Sequence, residues 1–128
     1  MRPKRLARLA FAGTVLIQLL VLYWPRSVGG AESVPYLDKV VHALVFGAVA
    51  LTGMRAGVPV RPLAVVLAAH AGLSEVVQGS LLAQRGADPW DAVADVTGTA
   101  LGLLGATLVG SGRGTGVEES PLGGTLGA

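Results

Sequence analysis

The chain has 128 residues, of which 52% are hydrophobic and only 14% are charged, and its mean hydropathy is +0.61. This composition excludes an ordinary soluble domain, in which about a quarter of the residues are charged, and indicates a surface that largely faces lipid. The net charge of +2 comes without a basic face interleaved with aromatic residues, so nucleic acid is not an expected partner, and the absence of cysteine excludes disulfides and thiolate chemistry.

Four apolar stretches follow one another along the chain, and each recruits flanking residues to reach the length of about 20 helical residues that spans a bilayer. The predicted spans are Leu6–Trp24, Leu37–Arg55, Val60–Leu81 and Asp91–Gly110. None of them carries the broad polar face of a helix on a soluble protein. We therefore predict an all-α bundle of four transmembrane helices over residues 1–110, followed by a disordered, glycine-rich tail over residues 111–128.

The first apolar stretch is open to a second interpretation. A basic N-terminus, an apolar run and small residues near Gly29 and Ala31 also describe a cleaved signal peptide. The aromatic pair Tyr23 and Trp24 suits a membrane interface, and Pro25 then ends the helix. These last features favour a retained span.

The distribution of Lys and Arg predicts the orientation of the bundle. Seven of these residues lie in the N-terminus, the second connection and the tail, whereas three lie in the first and third connections. Because basic residues are enriched on the cytoplasmic side, we expect both termini in the cytoplasm and the connections 25–38 and 82–90 outside.

The second and third spans carry polar residues along one face near their outer ends. Asp38 and His42 are four residues apart, so they share a face of a helix. In the third span Ser74 and Gln78 follow one stripe, and Glu75 lies on the same side.

The fourth span begins with a strong helix-start signal. Asp88 is a typical N-cap, Pro89 fits the first helical position, and Trp90 suits the membrane interface. We therefore expect a helix that starts at this point.

A stripe of acidic and small residues follows along the fourth span. Asp91 and Asp95 share a helix face with Gly98 and Gly102, and the stripe continues to Gly105. Glycines in this pattern predict close packing against another helix.

These positions bring ionisable groups from three spans to one depth near the outer membrane boundary. Five carboxylates share this layer with two cationic side chains, so its charge must be relieved by protonation of a carboxyl or of His42, by a bound cation or by water. Charged groups at membrane depth are costly and seldom idle. The candidate polar residues are Asp38, Lys39, His42, Ser74, Glu75, Gln78, Arg85, Asp88, Asp91 and Asp95.

Structural roles are the alternative for some of these residues. Asp88 can serve only as a helix cap, and Lys39 can extend its ammonium group to the interface. His70, which lies deeper in the third span, can simply hydrogen-bond to a neighbouring helix.

Three motifs occur in order on three consecutive spans. They are Asp38-Lys39-Val40-Val41-His42, then Ser74-Glu75-Val76-Val77-Gln78, then Arg85, Asp88, Asp91 and Gly98. The pattern resembles the VanZ-like family of small bacterial membrane proteins, whose members read D-K-x-x-H, E-x-x-Q and R-x-x-D-x-x-D-x-x-x-N-x-x-G. The resemblance covers residues 38–105, and Asp95 stands where the family has asparagine.

The resemblance implies a multi-pass protein of the bacterial cell membrane and cell envelope. The namesake of the family is linked with resistance to the glycopeptide antibiotic teicoplanin. We therefore expect an outward-facing polar site that meets an envelope precursor or a glycopeptide, with the lipid bilayer as the other partner.

A membrane-embedded enzyme that acts on an envelope lipid or a peptidoglycan precursor is the alternative function. Its candidate catalytic residues are His42, Glu75 and Asp95: either carboxylate could act as general base and His42 as acid, with Arg85 holding an anionic substrate and a divalent ion on oxygen ligands as a further aid. Ser74 lacks the strand–turn elbow of a hydrolase nucleophile. A proton or cation pathway would need polar groups through the membrane centre, where the inner halves of the second and fourth spans offer little beyond small residues and threonines. The sequence alone assigns no cofactor and no metal-binding residues.

Overall fold

The computed structural model describes residues 3–24, 36–82 and 87–111. These residues form four helices and no strand: α1 (Pro3–Tyr23), α2 (Leu37–Ala56), α3 (Val60–Leu81) and α4 (Pro89–Ser111). All four are long and apolar enough to cross a membrane, so the predicted all-α class with four spans is confirmed. The predicted boundaries differ from these by at most three residues, and the predicted disordered tail lies outside the described residues from position 112 onward.

Large apolar side chains remain exposed along every helix. Leu16, Leu44, Val65 and Leu101, one from each helix, are all more than half exposed. In a membrane such side chains contact lipid, which is as apolar as the protein interior. The interior is small and is formed by Leu22, Phe46, Val49, Ala50, Leu63, Leu67 and Ala71.

The contact between α2 and α4 is the most extensive in the bundle. A Cβ atom added to Gly98 would overlap the backbone carbonyl of Ala43, and one added to Gly102 would overlap that of Gly47. Only glycine permits so close an approach of two backbones. The predicted packing role is therefore confirmed for both glycines. It is wrong for Gly105, where a Cβ would meet no atom within 4 Å, so the close contact ends before this turn of α4.

A three-residue turn joins α2 to α3. Gly57 has a φ of 93°, and its N–H donates to the carbonyl of Met54 while the N–H of Val58 donates to that of Gly53. This pair of hydrogen bonds is a Schellman motif, which satisfies the last carbonyls of α2 and requires a left-handed residue at position 57. The turn reverses the chain and sets α3 next to α2.

Single hydrogen bonds connect α1 to the other helices. The hydroxyl groups of Thr14 and Thr52 lie 2.8 Å apart, and the amide of Gln78 donates to the carbonyl of Leu22 at 3.0 Å. The deep His70 shares a 3.0 Å hydrogen bond with the hydroxyl of Tyr23, which confirms the predicted link to a neighbouring helix.

Candidate functional site: an ionic cluster at one end of the bundle

Seven ionisable side chains meet where α2 begins, α3 ends and α4 begins. Because α3 runs antiparallel to both neighbours, its last turns lie at the level of the first turns of α2 and α4. We call this set the ionic cluster; it comprises Asp38, Lys39, His42, Glu75, Asp88, Asp91 and Asp95. The sequence predicted this convergence from spacing and depth alone.

Lys39 forms the outer part of the ionic cluster. Its ammonium group donates to Asp88 at 2.6 Å and to Asp91 at 3.1 Å, so it joins α2 to α4 and does not merely extend to the interface. Asp88 also accepts the N–H of Trp90 at 2.9 Å, which confirms its predicted role as the cap of α4. The bonds from Lys39 and from the Trp90 N–H hold the pKa of the Asp88 carboxyl below its usual value.

His42 and Asp95 form the most deeply buried pair of the ionic cluster. The Nδ1 atom of His42 lies 2.9 Å from Asp95 Oδ1, and the two side chains are 2% and 0% exposed. On the other side of the ring, Nε2 lies 4.0 Å from Asp91 Oδ2. Both imidazole nitrogens therefore face carboxylates. This arrangement fixes the orientation of the ring and favours a positive charge at this position.

Glu75 connects α3 to the start of α4. Its Oε2 accepts the backbone N–H of Asp88 at 2.9 Å, which supplies a partner for an N–H next to the helix terminus. Its Oε1 is buried and has no hydrogen-bond partner among the described residues. Glu75 thus has one oxygen in a structural bond and one available for chemistry.

Three of the predicted polar residues do not join the ionic cluster in this way. Ser74 donates its hydroxyl to the carbonyl of Ala71 in its own helix, and Gln78 bonds to α1. Arg85 lies outside the described residues. A Ser74–His42–Asp38 triad is not formed, because the hydroxyl is engaged elsewhere and the Nδ1 atom faces Asp95.

A polar stripe on α1 was not predicted from the sequence. Gln18 is 2% exposed within the bundle, and its Nε2 has no hydrogen-bond partner among the described residues. Thr14 stands one turn before it, in an otherwise apolar run. Polar residues at positions i and i+4 in such a run signal the face that turns away from lipid.

The ionic cluster offers two groups of three ligand atoms that lie within 4.8 Å of one another. One group comes from Asp38, His42 and Asp91, and the other from His42, Glu75 and Asp95. Either group combines an imidazole nitrogen with carboxylate oxygens, the donor types that bind divalent cations and that transfer protons.

Four apolar helices of spanning length, packed around a small interior, define a multi-pass integral membrane protein that contacts the lipid bilayer. Comparison with protein-family models, with curated proteins and with solved structures finds no match to this chain.

Proposed function

We propose that this protein is a VanZ-like protein of the bacterial cell membrane that contributes to resistance against teicoplanin-type glycopeptides. One observation carries the proposal: motif residues from three separate spans converge in one cluster. Asp38 and His42 come from the first motif, Glu75 from the second, and Asp88 and Asp91 from the third. Three motifs that lie apart in the chain thus supply one cluster, which supports the resemblance.

The proposed site is the ionic cluster, and its proposed direction is outward. Burial of so many ionisable groups in an apolar bundle is costly, which supports a role in binding over a purely structural role. The bias of basic residues toward the N-terminus, the second connection and the tail supports cytoplasmic termini, which would turn the ionic cluster toward the cell envelope. Its partner would then be an envelope precursor or the glycopeptide itself.

Cysteine labelling tests the direction, since the chain has no cysteine of its own. An impermeant thiol reagent applied to intact cells should modify cysteines placed at Gly30 and Gln84 and leave those at Pro59 and Glu118 unmodified. Pro59 is the suitable position in the second connection because its side chain is exposed. Modification of the cysteine at Pro59 from outside would reverse the proposed topology.

Survival on teicoplanin tests the function. The chain is expressed in a glycopeptide-sensitive bacterium, and the inhibitory concentration is compared with that of Glu75→Gln. The variant keeps an oxygen for the Asp88 N–H and removes only the charge. We expect the wild type to raise the inhibitory concentration and the variant to lose this effect at equal protein level.

Ser80→Ala is the matched control, because Ser80 is exposed on the same helix near the same end. It should protect as well as the wild type. Full protection by Glu75→Gln, or no protection by the wild type, would contradict the proposal.

A membrane-embedded enzyme acting on an envelope lipid or a peptidoglycan precursor is the second candidate function. Glu75 favours it, because one of its carboxylate oxygens lies within 4.8 Å of an imidazole that Asp95 orients, and its buried Oε1 has no hydrogen-bond partner among the described residues. Glu75 could act as general base and His42 as acid.

Turnover separates the two candidates. Purified protein in vesicles is incubated with a lipid-linked peptidoglycan precursor, and the products are followed by mass spectrometry. A mass change that His42→Gln abolishes and Thr97→Ala preserves would favour the enzyme; Thr97 is an exposed residue of α4 outside the ionic cluster. Binding without any mass change would favour the first candidate.

A further inference from the structure

We propose that His42, Glu75 and Asp95 bind one zinc-type divalent cation between α2, α3 and α4. A nitrogen of His42 and one oxygen of each carboxylate lie within 4.8 Å of one another, and all three residues are buried. The inference rests on the proposed function in one respect, since it names a ligand of the same ionic cluster. Its evidence is separate and comes from unpartnered atoms, charge and ligand orientation.

Two buried oxygens supply the first independent observation. Glu75 Oε1 and Asp95 Oδ2 have no hydrogen-bond partner among the described residues. Glu75 is 8% exposed and Asp95 is 0% exposed, so water cannot readily replace the missing donors. An unpaired buried carboxylate oxygen is strongly unfavourable, and more so where lipid surrounds the bundle. A cation on these oxygens would remove this cost.

The charge of the ionic cluster is the second observation. Five carboxylates meet a single lysine ammonium group among the described residues, and that group is bonded to Asp88 and Asp91. Among the described residues, the imidazole of His42 is the ionisable base that lies next to both inner carboxylates, those of Glu75 and Asp95. A divalent cation would offset both of them directly.

The separations of the ligand atoms suit zinc. Zinc lies about 2.0–2.2 Å from imidazole nitrogen and carboxylate oxygen, so tetrahedral ligand atoms are about 3.3 Å apart. The Nδ1 of His42 and Oδ1 of Asp95 are 2.9 Å apart, and the whole set is within 4.8 Å. A cation bound here would replace the proton that this pair shares. Three protein ligands leave a fourth position for water or another ligand.

Two of the three ligands have a neighbouring group that can orient them. Asp91 Oδ2 stands 4.0 Å from the outer ring nitrogen of His42, and the Asp88 N–H holds the second oxygen of Glu75 at 2.9 Å. A carboxylate behind a metal-binding histidine is the usual arrangement at zinc sites. The inner group therefore has three ligands, and two of them have an orienting neighbour.

The outer group of Asp38, His42 and Asp91 is less suited to a second cation. Asp91 already accepts a hydrogen bond from the Lys39 ammonium group at 3.1 Å. A metal ion placed there would be repelled by this positive charge at close range. The inner group has no lysine or arginine bonded to it among the described residues, which makes it the preferred site.

Metal binding is measured on the full chain, purified in detergent and stripped with a chelator. Isothermal titration with Zn²⁺ should give one equivalent bound. At a zinc concentration of about 100 times the dissociation constant, the melting temperature should rise by at least about 5 °C. Mg²⁺, which prefers oxygen ligands and keeps its waters, should bind far more weakly. No stoichiometric zinc, or Mg²⁺ binding of equal strength, would overturn the proposal.

Variants locate the cation. Glu75→Gln and Asp95→Asn should each weaken zinc binding by at least about 100-fold, because each removes an anionic ligand. Asp91→Asn, which leaves the three ligands in place and removes the carboxylate behind His42, should weaken it by about 10- to 100-fold. Thr97→Ala, on the exposed face of α4 outside the ionic cluster, is the control and should bind as the wild type does. A loss in Asp38→Asn equal to that in Asp95→Asn would move the cation to the outer group and overturn the assignment.

The wild-type titration decides the presence of a cation even if one variant fails to fold, and Glu75→Gln then decides its place. The two proposals can fail separately. Zinc binding by a protein that gives no protection on teicoplanin leaves the cation site standing and removes the resistance function. Protection that depends on Glu75 in a protein that binds no zinc leaves the resistance function standing and removes the cation site.

Discussion

α1 and α4 both pack against α2, but they do so through different physical means. In α4, glycines bring the two backbones together and ionisable side chains join the helix ends. In α1, most of the surface faces outward: 11% of the residues in its most apolar part are buried, against 28% in that of α2. Its polar links are single bonds between neutral groups. The bundle therefore has a tight contact lined by ionisable groups between α2 and α4, which we call the seam, and a looser attachment of α1.

The largest effect is expected from bulk in the seam. In Gly98→Leu the new side chain would meet the backbone of Ala43, which cannot move without displacing α2. We expect a loss of about 3 kcal/mol or more in the free energy of unfolding. Thermal melting in detergent measures it.

Gly105→Leu is the matched control on the same helix, because its Cβ would meet open space. It should melt close to the wild type. Equal losses at both glycines would show that α4 does not pack closely against α2 at Gly98.

An effect of similar size concerns the buried pair of His42 and Asp95. Removal of one partner leaves the other uncompensated, so His42→Ala should cost about 3–5 kcal/mol of stability in metal-free buffer. A double-mutant cycle with His42→Leu and Asp95→Leu sharpens the point. The double variant should be more stable than either single variant, since no unpaired charge remains buried. Additive losses in the cycle would mean that the two groups do not interact.

A smaller effect is expected in the attachment of α1. Tyr23→Phe removes the hydroxyl that bonds to His70 and leaves the ring in place. Interhelical hydrogen bonds in membranes contribute about 0.6 kcal/mol on average, so the variant should lose about this amount. A loss as large as that of His42→Ala would erase the contrast between α1 and α4.

The smallest effect is a pH dependence at the rim of the seam. The pKa of Asp88 is lowered in the folded protein, so its contribution to stability is present at neutral pH and is lost as the pH falls through the folded pKa. Melting curves of the wild type and Asp88→Asn should therefore differ at pH 7 and approach each other in strong acid. A difference that grows in acid would have the wrong sign for this carboxylate.

Much of the charged seam could be predicted from sequence because its residues stand out in apolar runs. Asp38 and His42, four apart, had to share a face, and the helix rise placed His42 and Asp95 in the same outer third of the membrane. An isolated charged group in an apolar bundle has a high free-energy cost, so such groups pack next to one another. The helix cap at Asp88 was equally clear, since capping depends on a few adjacent residues.

The neighbours of each helix were harder to predict. The short turn at Gly57 makes α2 and α3 adjacent in sequence, yet the main partner of α2 is α4. Close packing depends on how two surfaces match, and a glycine stripe does not name its partner or its extent, as Gly105 shows. The bond between Tyr23 and His70 was hidden for the same reason, because it required knowing that α1 lies beside α3 at that depth.

The position of Asp88 has a consequence for biosynthesis. Its N–H bonds to Glu75 in α3 and its carboxylate to Lys39 in α2, a residue 49 positions earlier in the chain. During synthesis α2 and α3 therefore reach the membrane before α4, which carries the carboxylates that bind Lys39 and His42. The hairpin carries these groups without their partners until α4 arrives and completes assembly. We expect a nascent chain that stops after Leu81 to be degraded faster than the full chain, which pulse-chase labelling can measure.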